Sequence, residues 1–225
     1  MQVVRGRSLL ELGEAPFREL LAGHERLVVD VGTGDGRFPY AYARDHPEAL
    51  VVGLDLVAEN LREVSHRASR RPERGGRPNV LYALASAERP PPELAGLASE
   101  VFVVLPWGRL LEGVALADPE VLDGIAGLAA PGARLAIVLN CEVWGETVPA
   151  GVDHLPVVTE EYAREALAPR LAGHGVVMTE GRMLAREEMG RLQSTWAKRL
   201  RHGREHARFL LLEAVVRPDE AAAGR

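Results

Sequence analysis

The chain has 225 residues, 47% of them apolar, and 27 basic side chains stand against 32 acidic ones. This length suits one domain with elaborations, and the lack of both a cleavable leader and an apolar run of roughly 20 residues favours a cytoplasmic protein over secreted or membrane-spanning classes. The single cysteine, Cys141, excludes an internal disulfide, and the net charge of −5, averaged over the chain, argues against a nucleic-acid partner.

Apolar runs and turn residues predict a short hairpin followed by alternating strands and helices. The hairpin, over residues 1–12, is expected outside the main sheet, because Val3-Val4 and Leu9-Leu10 flank Gly6. The elements that follow are a strand over 26–31, a helix over 37–46, a strand over 50–54, a helix over 57–70, strands over 80–84 and 101–105, helical stretches within 107–130 and, after a Pro131-Gly132 turn, a strand over 134–139. This alternation predicts an α/β fold with a parallel sheet and helices on both faces.

The last third of the chain departs from this alternation. Residues 140–158 are rich in proline, glycine and acids and predict an inserted loop, after which Thr159 is expected to cap a helix over 159–171. The final predicted elements are a strand over 175–179, a long helix over 185–202, a strand over 209–216 and a frayed tail over 219–225. Since no repeat or linker divides the chain, a single domain over residues 1–225 is predicted.

The sharpest local signal is a glycine-rich turn directly after the first long strand. The run Gly32-Thr33-Gly34-Asp35-Gly36 has a spacing unlike the G-x-G-x-x-G that seats a dinucleotide pyrophosphate, which disfavours an NAD-dependent dehydrogenase. Asp30 lies at the end of that strand, and Asp55 ends the next, where a carboxylate can accept hydrogen bonds from a ribose diol. The pattern indicates an adenosine-type cofactor with a positive group near Asp30. A glycine-rich turn in some other α/β domain remains an alternative.

The positive charges are concentrated in two windows. Residues 62–77 contain six arginines and two glutamates, and residues 196–208 contain five basic residues and one acid. Each window carries +4, which leaves −13 for the remainder. If the fold brings them together, the windows form a phosphate-binding face; otherwise they are two solvated helix faces.

The edge predicted after the fourth strand, where a substrate would lie beside the cofactor, reads Leu105-Pro106-Trp107-Gly108. It lacks the Asn/Asp-Pro-Pro-aromatic tetrad usual for methylation of exocyclic amines. Cys141 is not in the Pro-Cys motif that carbon-5 pyrimidine methylation uses, so it is expected to be structural. Trp107 can stack on a base, and Trp196, at the start of the second basic window, is a second candidate. Taken alone, each tryptophan is more often part of a core.

These motifs resemble the class I S-adenosylmethionine-dependent methyltransferases and, more closely, the aminoglycoside-resistance 16S rRNA adenine-1408 N1-methyltransferases of the kanamycin–apramycin type. The likeness extends over essentially the whole chain. The blocks that carry it are Asp30-Val31-Gly32-Thr33-Gly34-Asp35-Gly36-Arg37, Arg71-Pro72-x-Arg74-Gly75-Gly76-x-Pro78-Asn79, Ala87-Glu88-Arg89, Leu105-Pro106-Trp107-Gly108-x-Leu110-Leu111 and Trp196-Ala197-Lys198-Arg199-Leu200.

The resemblance implies a Rossmann-like, seven-stranded, mostly parallel sheet, with S-adenosylmethionine as methyl donor and no metal. The residues that it assigns to the cofactor site are Asp30, Gly32, Thr33, Gly34, Asp55, Ala87, Glu88 and Leu105. It places the flipped target adenine between two tryptophans, in a catalytic pocket formed by Trp107, Trp196, Pro106 and Ser194. The rRNA contacts that it implies are Arg67, Arg70, Arg71, Arg74, Arg199 and Arg204.

The predicted reaction is methyl transfer to N1 of the decoding-site adenine in helix 44 of the 30S subunit, giving resistance to aminoglycosides such as kanamycin and apramycin. Adenine N1 has an in-plane lone pair and no proton, so orientation suffices and no general base is needed. A monomer is expected. One alternative is a tRNA guanine-N7 methyltransferase, which should show an Asp-Pro-Trp-Pro edge. Another is a small-molecule methyltransferase, which needs no arginine windows. The third is a non-catalytic RNA-binding or assembly protein with the same fold.

Overall fold

A nine-stranded mixed sheet organises residues 1–141, 153–184, 188 and 208–217, the part of the chain described in this computed structural model. The strands are β1 (Gln2–Arg5), β2 (Ser8–Glu11), β3 (Arg26–Val31), β4 (Ala49–Asp55), β5 (Val80–Leu84), β6 (Ala98–Val104), β7 (Ala129–Asn140), β8 (Val176–Met183) and β9 (Phe209–Val216). Their order is β2-β1-β5-β4-β3-β6-β7-β9-β8. Strands β5, β4, β3, β6 and β7 pair in parallel, and β9 pairs antiparallel with both β7 and β8. The predicted seven-stranded, mostly parallel sheet is therefore confirmed in β3–β9.

Helices cover the sheet; the first of them was not predicted, and those after it lie within or next to the predicted helical segments. They are α1 (Glu14–Ala22), α2 (Arg37–Asp45), α3 (Ala58–Ala68), α4 (Gly108–Leu116), α5 (Pro119–Leu128), α6 (Glu160–Tyr162) and α7 (Ala168–Gly173). Thr159 caps α6 as expected, since its Oγ1 accepts the Tyr162 N–H at 3.1 Å. A π-helical turn, Ala163–Leu167, joins α6 to α7 just before Pro169, which has no N–H to continue the regular ladder. Within the described segments, no helix is long and apolar enough to cross a bilayer.

Both faces of the parallel strands are buried, as a doubly covered sheet requires. Val28 and Val51 pack in one apolar cluster with Leu61 of α3, whereas Val29 belongs to a second cluster that contains Ile125 of α5. Successive side chains of a strand point to opposite faces, so these runs read as continuously apolar rather than alternating. The two layers fix the carboxyl ends of the strands at one edge of the sheet.

The N-terminal hairpin is not outside the main sheet, and that expectation is wrong. Strand β1 pairs antiparallel with β5 through Val3 and Ala83, so the hairpin extends the sheet by two strands. Without it, β5 would be an edge strand with unpaired N–H and C=O groups. Val3 and Val4 are buried by this pairing, which explains their apolar character.

Several predicted boundaries shift. The strand predicted from residue 101 begins at Ala98, and the strand predicted from residue 134 begins at Ala129. The turn expected at 131–132 is an irregularity inside β7, where Gly132 has a φ of +81° and the pairing with β6 changes register. The predicted helix over 185–202 lies almost entirely outside the described residues; the tail over 219–225 and positions 142–152 of the predicted loop lie wholly outside them.

Candidate functional site

The carboxyl ends of β3, β4 and β6 and the loop after β5 surround a cleft of about 410 Å³. This edge is where open parallel sheets bind cofactors. Most residues predicted for the cofactor site line this cleft, together with the tryptophan of the acceptor edge: Gly32, Thr33, Gly34, Asp55, Ala87, Glu88, Leu105 and Trp107. The fold thus brings together segments that are far apart in the sequence.

The glycines after β3 are required by backbone conformation and by close packing. Gly32 and Gly34 have φ values of +72° and +59°, a region that L side chains rarely adopt. A Cβ on Gly32 would lie 2.4 Å from Cδ2 of Leu110 in α4, and one on Gly36 would lie 2.5 Å from a ring atom of Tyr82. The turn can therefore approach a ligand closely, which a loop carrying side chains could not do.

Asp30 is an acidic residue buried at the base of this loop. It is 1% exposed, and its Oδ1 has no hydrogen-bond partner among the described residues. Burial raises the pKa of Asp30 to about 7; the Asp55 carboxylate adds to this rise, and the nearby Thr33 hydroxyl opposes it. An unpaired buried carboxylate oxygen is suited to accept an ammonium group, such as that of the amino-acid part of S-adenosylmethionine. The residues present therefore fit this methyl donor.

Asp55 is held in one orientation at the end of β4. Its Oδ2 accepts the Gly34 N–H at 2.8 Å, and its Oδ1 accepts the Val57 N–H at 2.9 Å. Each carboxylate oxygen has a further lone pair, so both can still accept a hydroxyl proton. The Gly34–Asp55 hydrogen bond thus links the glycine loop to the end of β4, and the Asp55 carboxylate is preorganised to accept from a diol.

The loop that carries Ala87 and Glu88 rests on α5. A Cβ on Gly124 of α5 would lie 1.8 Å from the Ala87 carbonyl oxygen, so only glycine permits this contact. Arg109 of α4 lies 3.4 Å from Glu88 and donates to Asp118, the N-cap of α5, at 2.7 Å. Arg109 also lines the cleft, and sequence reasoning missed it because its contacts with Glu88 and Asp118 form only when α4 packs beside α5 and the cofactor loop.

The acceptor edge begins with a strained residue. Leu105 has a φ of +53°, which costs a leucine roughly 1–2 kcal/mol, and its N–H donates to the Val138 carbonyl at 2.8 Å. This bend turns the chain out of the sheet, and Pro106 is buried beside it. Trp107, which is 55% exposed, precedes α4 at the mouth of the cleft. An exposed indole at this position provides a stacking platform for a base.

The first basic window forms a concave surface. Arg70, Arg71 and Arg74 line a depression of about 520 Å³ together with Ser69, and none of the three pairs with a carboxylate in the described part of the chain. The loop is tightly folded, since the Gly76 N–H donates to the Arg71 carbonyl at 3.0 Å. Arg67 differs from these three because its guanidinium lies over the Tyr40 ring, 4.6 Å from the centroid.

Some predicted site residues cannot be placed. Trp196, Ser194, Arg199 and Arg204 lie outside the described residues, so whether the second basic window joins the first stays a prediction. Among the residues that are described, no group of three or more His, Cys, Asp or Glu side chains is arranged to hold a metal ion. Cys141 is buried, with its Sγ 3.5 Å from the Val158 carbonyl oxygen.

Comparison with known proteins gives consistent matches over nearly the whole chain. A family profile described as 16S rRNA (adenine(1408)-N(1))-methyltransferase matches residues 2–215. An enzyme of that name from Streptoalloteichus hindustanus is 40% identical over 218 residues, which are 97% of this chain and 100% of the relative.

Two solved structures are similar throughout. A variant of the enzyme of the same name from Catenulisporales acidiphilia, solved with its cosubstrate SAM, has a TM-score of 0.91 and 36% identity and covers 98% of each chain. The antibiotic-resistance methyltransferase Kmr has a TM-score of 0.78 and 35% identity, covering 96% of this chain and 100% of its own.

Proposed function

The chain belongs to the 16S rRNA (adenine(1408)-N(1))-methyltransferase family, and from this premise we propose how its residues divide the reaction. The enzyme uses S-adenosylmethionine to methylate N1 of adenine 1408 in 16S rRNA, which confers resistance to aminoglycosides. We infer that kanamycin and apramycin are among the drugs resisted, since a methyl group at N1 blocks the Watson–Crick edge of the base.

The cofactor side of the site works by preorganised hydrogen bonding. S-adenosylmethionine supplies an electrophilic methyl group on a sulfonium. The Asp30 carboxylate accepts from the ammonium of the amino-acid part, with Thr33 beside it, and Gly32 and Gly34 let the backbone approach. Asp55 accepts from the ribose hydroxyls. The Ala87–Glu88 loop and Leu105 flank the adenine, and α5 and Arg109 hold that loop in position.

The acceptor side works by stacking and orientation. Trp107 presents its ring to the target base, Trp196 supplies the second face, and Pro106 and Ser194 shape the pocket between them. Because N1 carries no proton, placing its lone pair in line with the methyl group is sufficient. The methylated base is cationic, so aromatic faces stabilise it electrostatically as well as by stacking.

The single observation that carries this proposal is the exposure of Trp107 at the mouth of the cleft that the glycine loop and Asp55 line, with the unpaired Asp30 oxygen buried at the base of that loop. A tryptophan of the core would be covered, whereas this one leaves a ring face free beside the expected position of the methyl group. Flipping the adenine costs a few kcal/mol, and stacking of about 1–3 kcal/mol per contact offsets that cost.

We further infer that the substrate is the assembled 30S subunit and that the enzyme acts on helix 44 as a cytoplasmic monomer of one domain. Arg67, Arg70, Arg71, Arg74, Arg199 and Arg204 contact the rRNA in this proposal. Cations spread over a folded surface suit a structured RNA better than a single strand.

The reaction is tested with radiolabelled S-adenosylmethionine and either purified 30S subunits or naked 16S rRNA, followed by primer extension. We expect methyl transfer to 30S subunits and a reverse-transcription stop at adenine 1408. A stop at another nucleotide, or transfer to tRNA alone, would refute the proposal. Equal rates on naked rRNA would refute only the preference for assembled subunits.

The stacking role of Trp107 is tested by substitution. We expect Trp107→Ala to lower kcat/KM on 30S subunits by about 5- to 150-fold, as removal of one base–aromatic stack implies, while the affinity for S-adenosylmethionine changes less than about threefold. Trp107→Phe keeps an aromatic face and should retain most of the activity. An alanine variant as active as the phenylalanine variant would remove Trp107 from the acceptor site.

A further inference from the structure

The turn of the N-terminal hairpin carries two arginines to which no role has been given above. Arg5 and Arg7 flank Gly6, lie outside both basic windows of the sequence, and are exposed. Neither guanidinium pairs with a carboxylate in the described segments. We call the depression lined by Ser69, Arg70, Arg71 and Arg74 the arginine concavity. The position of Arg5 and Arg7 relative to this concavity suggests a function for them.

The hairpin turn is fixed against α3. Gly6 has a φ of +61°, the conformation that a two-residue hairpin with glycine at its first central position needs. Its N–H donates to the buried Ser65 Oγ at 2.9 Å, and that hydroxyl donates to the Arg62 carbonyl at 3.1 Å. A Cβ on Gly6 would lie 3.5 Å from Nδ1 of His66. The turn therefore lies on the helix whose C-terminus leads into the arginine concavity.

A second depression joins the hairpin to that concavity. It has a volume of about 330 Å³ and lies between the hairpin, α3 and β5, with Arg5, Ser69 and Arg77 in its lining. Ser69 lines both depressions, so they adjoin at the C-terminus of α3. One continuous strip of surface thus extends from the hairpin turn to Arg74.

The strip carries more positive charge than it neutralises internally. Arg5, Arg7, Arg70, Arg71 and Arg74 have no carboxylate partner in the described chain. The acids nearby are Glu11, in the lining of the hairpin depression, and Glu63 and Glu73, which are exposed. Since neighbouring cations repel one another, a strip of unpaired guanidinium groups is stabilised by a polyanion. Guanidinium also matches the geometry of phosphate oxygens.

We propose that the Arg5-Gly6-Arg7 turn binds the phosphate backbone of the rRNA substrate, as an extension of the arginine concavity across Ser69. This inference rests on the proposed function in so far as the substrate is RNA. The hairpin then has two roles: it covers the edge of β5 and positions two cations against phosphates. Because β1 pairs antiparallel with β5, the turn lies at the amino end of β5 and away from the carboxyl edge that holds the cleft, so it contributes to substrate binding and not to the chemical step.

The test compares the double variant Arg5→Glu/Arg7→Glu with wild type on purified 30S subunits. A matched control is the double reversal Arg164→Glu/Arg170→Glu, because both arginines are exposed and lie in or just before α7, which packs on β8 at the opposite end of the sheet from the hairpin. We expect KM for 30S subunits to rise at least about tenfold, while kcat and the affinity for S-adenosylmethionine stay within twofold of wild type. The slope of log affinity for 30S subunits against log salt concentration should fall by about 2, one for each phosphate that an arginine no longer neutralises. The control should change none of these quantities.

A neutral pair, Arg5→Gln/Arg7→Gln, removes the charges without introducing repulsion, and it keeps the inference falsifiable if the glutamate variant folds poorly. Its KM should rise by roughly three- to tenfold with the same change in salt slope. A KM within twofold of wild type and an unchanged slope would overturn the inference. If wild type itself fails to methylate 30S subunits, the proposed function fails instead, so the two failures are distinguishable.

Discussion

Asp30 bears a desolvation cost that its described neighbours offset only in part, through the Thr33 hydroxyl. Its carboxyl group is 1% exposed, and Oδ1 lacks a donor. Burial holds its pKa at about 7, well above the usual range for an aspartate, with a further rise from Asp55. The residue is therefore better suited to a cofactor-bound protein, in which an ammonium stabilises the anion, than to the cofactor-free state.

This raised pKa predicts a pH-dependent affinity for S-adenosylmethionine. The ammonium of the methyl donor binds the ionised carboxylate, and that form is lost as pH falls through about 7. The dissociation constant measured by titration calorimetry should therefore rise about tenfold between pH 8 and pH 6, with release of a proton on binding in the acidic range. Asp30→Asn serves as the control and should bind weakly at every pH.

The same raised pKa determines whether the free energy of unfolding rises or falls with pH. Because the folded-state pKa is above the unfolded value, the cofactor-free protein loses stability as pH rises from about 4 to about 7. Asp30→Asn should then raise the free energy of unfolding of the cofactor-free protein at pH 8, by an amount on the order of a few kcal/mol. A variant less stable than wild type at that pH would contradict the account.

Residue types alone predicted part of the site. Asp30 and Asp55 were found because a carboxylate at the end of a buried strand is conspicuous, and Trp107 because it follows such a strand. Arg109 was not found, since its link to Glu88 and Asp118 exists only after α4 and α5 pack. The positive φ of Leu105 was also unpredictable, because nothing in a leucine side chain favours that conformation.

At the scale of the element, α5 is a support for the cofactor loop. Gly124 packs against the Ala87 carbonyl, whereas Gly127, three residues later in the same helix, has nothing within 4 Å of the Cβ it lacks. The two glycines therefore share a helix and differ in whether a methyl group fits, which provides a matched pair of substitutions.

Gly124→Ala should displace the Ala87–Glu88 loop. We expect a loss of about 1–3 kcal/mol in the free energy of unfolding and a weaker affinity for S-adenosylmethionine, measured by denaturant titration and calorimetry. Gly127→Ala should instead stabilise the protein by about 0.5–1 kcal/mol, because alanine lowers the entropy cost of forming the helix, and it should leave the affinity unchanged. Equal effects of the two substitutions would show that α5 does not support the loop.

Strands and helices whose apolar runs are delimited by turn residues were predicted well. Those whose bounds depend on long-range strand pairing were not. Strands β3, β5 and β9 have the predicted bounds because turn residues delimit their apolar runs. The early starts of β6 and β7 were missed, since Ala98 becomes a strand residue by pairing with Leu27 and Ala129, and Ala129 by pairing with Ala98. The docking of the hairpin on β5 likewise depends on a long-range pairing that local pattern does not encode.

Over the whole molecule, the distribution of charge matters more than its sum. The net charge of −5 argued against nucleic acid, yet three arginines of the first basic window line a concavity and pair with no carboxylate in the described part of the chain. Many of the acidic residues elsewhere in the described chain form ion pairs with neighbouring arginines, as Glu48 and Glu100 do with Arg26. The average was misleading because net charge contains no information on position.

The two edges of the parallel sheet differ in what they contribute, one to ligand binding and the other to stability. The carboxyl edge holds the cleft, whereas the amino edge holds Arg26, at the start of β3. Its guanidinium donates to Glu48 at 2.7 Å and also to Glu100 in β6. Tyr42 donates to Glu100 at 3.0 Å, and burial together with that carboxylate raises the pKa of Tyr42 to about 12. This cluster links the starts of two central strands to α2 and lies far from any reacting group.

Arg26→Met should therefore separate stability from function. Removing the cation leaves two partly buried carboxylates without their partner, and we expect the free energy of unfolding to fall by roughly 1–3 kcal/mol, less than for a fully buried pair because Arg26 is 28% exposed. The matched control is Arg18→Met, which removes an exposed i,i+4 pair with Glu14 and should cost less than about 0.5 kcal/mol. Below the unfolding temperature, both variants should keep the wild-type affinity for S-adenosylmethionine and KM for 30S subunits. A raised KM in Arg26→Met alone would mean that the Arg26 cluster itself takes part in substrate binding, because its contribution would then not be confined to stability.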